Sequence, residues 1–98
     1  MILVRDIFHL KFGKSKEAKA LLKEGFEINK KFGYAPGRAM TDLTGKSYTL
    51  VLESTFESLS EYENALKTIF SKDEWGKWYQ NIIPLVESAS REMYTIIE

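Results

Sequence analysis

His9 is the only histidine in the chain. An imidazole changes charge near neutral pH, so His9 is the first candidate for proton transfer. It could act as a general base, or as the axial ligand of a haem. The plainer reading is a strand histidine bonded to a neighbour or packed at a subunit seam. Glu53 is the second candidate. The run Thr49-Leu-Val-Leu-Glu53 places it near the end of an apolar strand, on the face of Val51. Desolvation there would raise its pKa and let it move protons. A salt bridge to Arg5 or Arg38 across the sheet is the alternative, and the two readings are compatible.

Trp75, Trp78 and Tyr79 recur at helical spacing and form an aromatic face. Such a face could wall a cleft for a flat organic ligand. A stripe of this kind also serves as plain core, and Phe70 offers Trp75 a partner. Arg5, Arg38 and Arg91 are the only arginines, against eleven lysines. All three fall on expected strands. Arginine suits forked carboxylate contacts, so they would either hold an anionic substrate or lock subunits together, and locking is the favoured reading.

Other chemistries find less support. There is no cysteine, so disulfides, thiolate metal sites and cysteine nucleophiles are excluded. One histidine without thiolates is a poor start for a zinc site, and no metal is expected. The chain has no G-x-G-x-x-G, P-loop, G-x-S-x-G or H-E-x-x-H motif. A nucleotide cofactor held by a standard motif is therefore not expected. Acidic and basic side chains balance at 14 each. A nucleic-acid partner, which would call for a basic excess, is not expected either.

Residues 2–12 alternate, with Val4, Phe8, Leu10 and Phe12 on one face and Arg5, Ile7, His9 and Lys11 on the other. Ser15 to Phe32 reads as a helix with the apolar stripe Ala18, Leu21, Leu22, Gly25, Phe26, Ile28 and Phe32, stopped by Gly33. Ala35 to Asp42, opened by Pro36-Gly37, and Ser47 to Phe56 read as a hairpin about the Thr44-Gly45 turn. Ser58 to Phe70 is a helix opened by a Ser58/Glu61 capping box. Ser71 and Glu74 offer the same signature for a third helix, with Phe70 and Trp75 placed as a hydrophobic staple. Pro84 ends that helix, and Ser88 to Ile97 is the last strand. The order β-α-β-β-α-α-β predicts a ferredoxin-like α+β fold: a four-stranded antiparallel sheet with the helices on one face.

The 98 residues, 44% of them hydrophobic, suit one domain spanning residues 1–98. The apolar start Ile2-Leu3-Val4 is short and broken by charge, so neither a signal peptide nor a membrane span is expected. The lack of cysteine suits a reducing cytoplasm, the expected location.

Two long helices can cover one sheet face only. The other carries Ile7, Val51 and, on one parity, Met93, mixed with Arg5, His9, Glu53 and threonines. It is too apolar for open water and too polar for a dry core. A second copy of the same sheet is the economical cover, making a homodimer with room between the layers. A monomer with a half-wet sheet is the alternative.

These features resemble the dimeric α+β barrel superfamily, and within it the small NIPSNAP-like proteins. The stretches that carry the resemblance are Leu10-Lys11-Phe12-Gly13, Leu50-Val51-Leu52-Glu53 leading into Phe56-Glu57-Ser58-Leu59, and Trp75-Gly-Lys-Trp78-Tyr79 followed by Pro84-Leu85-Val86-Glu87-Ser88. The family often has proline where this chain has Phe12. The resemblance implies a homodimeric barrel with a cleft in each subunit between sheet and helices. Glu53 also matches a position where barrel monooxygenases often carry glutamate. Relatives include cofactor-independent monooxygenases and haem enzymes as well as proteins of unknown role, so fold does not fix function.

The expectation is a barrel protein that binds a small organic ligand, with Arg5, Ile7, Val51, Trp75, Trp78 and Tyr79 as ligand-binding residues. The alternatives are a cofactor-independent oxygenase acting on an aromatic or polyketide-like substrate, with His9 or Glu53 taking a proton, and a haem binder using His9. Whether the chain is an enzyme stays open, and no cofactor is expected beyond the haem alternative.

Overall fold

The computed structural model describes residues 1–34 and 37–98. Strand β1, Ile2–Leu10, leads to helix α1, Ser15–Lys31. Strands β2, Gly37–Thr41, and β3, Thr49–Phe56, form the hairpin. Helix α2, Leu59–Phe70, and helix α3, Asp73–Ile82, follow, and after a 3-10 turn at Ile83–Leu85 comes strand β4, Val86–Thr95. The sheet order is β2-β3-β1-β4, with every neighbouring pair antiparallel. This is the expected ferredoxin-like α+β fold. Ala35 and Pro36, read as the opening of the second strand, lie outside the described residues.

Alternation along β1 decides what each sheet face carries. Val4, Phe8 and Leu10 turn toward the helices, opposite Ser54 and Leu50 of β3 and with Leu52 between them. Two clusters result. One gathers Leu10, Ala18, Leu22, Leu50, Ile82 and Leu85, and the other gathers Val4, Phe56 and Tyr62. Arg5, Ile7 and His9 lie opposite Glu53, Val51 and Thr49 on the outer face. The β4 register puts Met93 across from Val4 and Arg91 across from Asp6, on the helix side. Met93 therefore does not belong to the outer face, where Ser90, Glu92 and Tyr94 stand instead.

Local signals explain most element ends. Ser58 caps α2: its hydroxyl accepts from the Glu61 N–H at 3.2 Å, and the Glu61 carboxylate accepts from the Glu57 N–H at 3.0 Å. The second capping box does not form. Lys72 precedes α3, no side chain caps that helix, and the Ser71 hydroxyl instead donates to the Thr68 carbonyl at 2.7 Å, at the end of α2. The staple contact survives, with the Phe70 and Trp75 rings 4.8 Å apart. Tyr48 takes a positive φ of 61°, which delays β3 to Thr49. β1 stops at Leu10, so Phe12 is not a core residue: it is 87% exposed and rests against Tyr48, ring centroids 5.0 Å apart.

Candidate functional site

Between the sheet and the helices lies a cavity of about 880 Å³, within the range of pockets that take small organic molecules. It opens between the two apolar clusters. Phe8, Leu50, Leu52 and Ala89 floor it from the sheet, and Leu22, Phe26, Leu66, Ile69 and Ile82 wall it from the helices. Phe70, Trp75, Trp78 and Tyr79 line one side. Trp75 is the centre of that group: its ring stacks on Tyr79 at 4.9 Å and 13°, and Trp78 lies 6.2 Å away.

Trp78 is held by α1. Its indole N–H donates to the Leu21 carbonyl at 2.6 Å, and its ring lies over Gly25, where a Cβ would come within 2.5 Å of it. The glycine in the stripe of α1 is therefore the slot that admits the indole between α1 and α3. The expected aromatic face is thus both core and cavity wall.

Polar side chains also line the cavity; of these the sequence pointed to Arg91 but not to Asp6, Asn29 or Tyr34. Asp6 falls on the helix side of β1 between Val4 and Phe8, directly across from Arg91 of β4. The Arg91 Nε–H donates to Asp6 Oδ1 at 2.6 Å. The Arg91 guanidinium also lies over the Tyr62 ring, 5.8 Å from its centroid. Tyr62 is only 6% exposed and its hydroxyl has no partner among the described residues. Burial pushes the Tyr34 hydroxyl up to about 12, so it stays a neutral donor. Asn29 adds a buried carbonyl oxygen that likewise has no partner among the described residues. Asp6, Asn29, Tyr34 and Arg91 all line the cavity. The signal available in the sequence was the break in the apolar alternation of β1 at Asp6.

Of the other anticipated residues, Glu53 borders the cavity while its carboxylate is engaged by Arg5 and Arg38. Arg5, Ile7, His9 and Val51 do not line the cavity. The Glu53 carboxylate, 5% exposed, sits between two guanidiniums: Arg5 Nη2 at 2.7 Å and Arg38 Nη2 at 2.8 Å. The Arg38 hydrogen bond first, and Arg5 after it, outweigh desolvation and hold the carboxyl below its ordinary value. The expected rise in pKa does not occur, and the salt-bridge reading describes the geometry. A carboxylate ionised this firmly is a weak base. Arg5 also nears Glu92 at 3.8 Å and lies over the Tyr94 ring. His9 keeps a buried Nδ1 without a partner among the described residues. Because it is the sole histidine and faces away, no imidazole reaches the cavity, and a haem held through His9 would have to lie on the outer face. Arg91, grouped with Arg5 and Arg38 on the sequence, is separated from them by the sheet. Among the described residues, no group of three metal-ligating side chains is placed to hold a metal ion, and no helix is long and apolar enough to cross a membrane.

No family model matches the chain, and no curated protein does. Solved structures do. A NIPSNAP domain protein from Burkholderia xenovorans superposes with a TM-score of 0.90 at 16% identity, covering 98% of this chain and 94% of that one. A NIPSNAP family protein from Agrobacterium tumefaciens gives 0.92 at 16%, covering 99% and 86%. A cofactor-independent oxygenase from Streptomyces nogalater gives 0.74 at 10%, covering 99% and 93%. The NIPSNAP-like resemblance read from the strand and helix words is thus present in three dimensions: the chain has the ferredoxin-like α+β fold of NIPSNAP-family proteins, shared more distantly with antibiotic-biosynthesis-type oxygenases.

Proposed function

We propose that the chain binds a small, flat organic ligand in the cavity between its sheet and helices. The observation that carries this is the cavity itself, about 880 Å³ with an aromatic wall of Phe70, Trp75, Trp78 and Tyr79 and the polar side chains of Asp6, Asn29, Tyr34 and Arg91. Apolar walls with a few convergent polar groups are the usual composition of a ligand site. The test is a screen of aromatic compounds by thermal shift, repeated with Ala89→Trp, which fills the floor of the cavity. Hits should stabilise the parent chain by RT ln(1+[L]/Kd) and leave the variant unchanged. Equal stabilisation of both would contradict the reading.

The outer face supports a second copy of the chain as its cover. Leu3, Ile7 and Val51 are only half-buried there, and Met40 is exposed. Its ionic groups, Arg5, Arg38, Glu53 and Glu92, sum to zero, so two copies of the face can meet about a two-fold axis without net repulsion. On this reading Arg5, Arg38 and Glu53 organise the pairing face rather than touch the ligand. Catalysis is not needed for the reading. An oxygenase would deplete oxygen when a quinol-type substrate is added, and loss of that turnover in His9→Ala or Glu53→Gln would assign the base.

A further inference from the structure

The Asp6–Arg91 pair is open to the cavity. It stands at a helix-facing row of the sheet between Val4 and Phe8. The pair also keeps unused capacity. A guanidinium carries five N–H donors and one carboxylate engages at most two of them, while a carboxylate offers about four acceptor sites. Arg91 is 47% and Asp6 24% exposed, and both line the cavity.

The charges around the cavity settle what kind of head they suit. Asp6 and Glu27 balance Lys30 and Arg91, and the Glu53 carboxylate is taken up on the outer face. An anionic head would reach Arg91 only by meeting Asp6 in a partly desolvated space, and a cationic head would meet Arg91. A neutral head avoids both costs. Asn29 Oδ1, buried and without a partner among the described residues, adds one more acceptor in the same cavity. The arrangement asks for a donor to face the carboxylate and an acceptor to face the guanidinium.

We propose that Asp6 and Arg91 form a recognition site for a neutral planar head group with a hydrogen-bond donor beside an acceptor, as in a primary carboxamide or a hydroxyl next to a carbonyl. This rests on the reading of the cavity as a ligand site. The head lies against the ion pair, and the apolar body lies along Trp75, Trp78 and Tyr79.

Quenching of tryptophan fluorescence at neutral pH tests it with three probes: naphthalene-2-carboxamide, 2-naphthoate and 2-ethylnaphthalene. The carboxamide should bind about 10-fold or more tighter than either of the others, because only it satisfies both polar partners. In the double variant Asp6→Leu, Arg91→Met the carboxamide and 2-ethylnaphthalene should come within about threefold of each other, since the site can no longer reward the head. Should that variant fail to fold, Arg91→Lys keeps the charge, loses the planar fork and should narrow the preference. Tightest binding by 2-naphthoate, or a preference unchanged in the variants, would overturn the head-group assignment and leave the cavity reading standing. No binding by any of the three would overturn both.

Discussion

Gly25 and Trp78 show how one small residue can place a functional wall. Alanine is the better helix former by about 0.8–1 kcal/mol, but a Cβ at Gly25 would press into the Trp78 ring. Overpacking of this kind costs about 1–3 kcal/mol, so Gly25→Ala should lower stability in urea unfolding and shift the tryptophan emission. A more stable variant would contradict the contact. Glu53 sets a pH dependence. Its carboxyl lies below the ordinary value of 4.5 in the folded chain, mainly through the Arg38 hydrogen bond. An acid whose pKa falls on folding adds stability above its unfolded value, and that contribution is lost as pH falls through the folded value. Urea melts below pH 4.5 should therefore show a steeper loss for the parent chain than for Glu53→Gln; equal slopes would contradict the paired geometry. Glu53 also shows what a sequence withholds. Its burial was legible from the apolar strand, yet the sign of its shift depended on Arg5 and Arg38, which reach it only through strand register.

At the scale of elements, the capping signals divide. Ser58 precedes α2 with extended backbone and bonds the Glu61 N–H, whereas Ser71 bonds back to Thr68. Ser58→Ala should then cost about 1 kcal/mol, the usual worth of an N-cap. Ser71→Ala should cost less, about 0.5 kcal/mol or under, as expected for an exposed position without a cap. Thermal or urea unfolding of the two variants checks the order, and a costlier Ser71→Ala would restore the capping box at α3. β1, α1, β3 and α2 were legible because their apolar residues keep a clear period. The last strand was expected where β4 lies, but its parity was not legible: Val-Glu-Ser-Ala-Ser-Arg-Glu-Met-Tyr-Thr has no clean alternation, and its facing follows from pairing with β1. For the same reason the sequence grouped Arg91 with Arg5 and Arg38 and not with Asp6, from which it lies 85 residues away in the chain.

At the scale of the molecule, the sheet separates two surfaces that the sequence had merged. The outer face carries Ile7, Val51 and the Glu53 network and is the one proposed to take a second copy, while the aromatic residues line an inner cavity. Light scattering at micromolar concentration should give twice the chain mass, and Val51→Asp should bring it to that of a monomer. A parent chain of single mass would remove the second copy from the account. The central claim is that ligands enter the cavity between sheet and helices. An NMR titration of the labelled chain with 2-naphthol tests it most directly. The indole N–H signals of Trp75 and Trp78 and the amides around Phe26, Leu66 and Ala89 should shift together and saturate, while the side-chain methyl signals of Ile7, Val51 and Thr49 stay in place. Shifts confined to the methyls of Ile7, Val51 and Thr49, or no saturable shift at all, would contradict it.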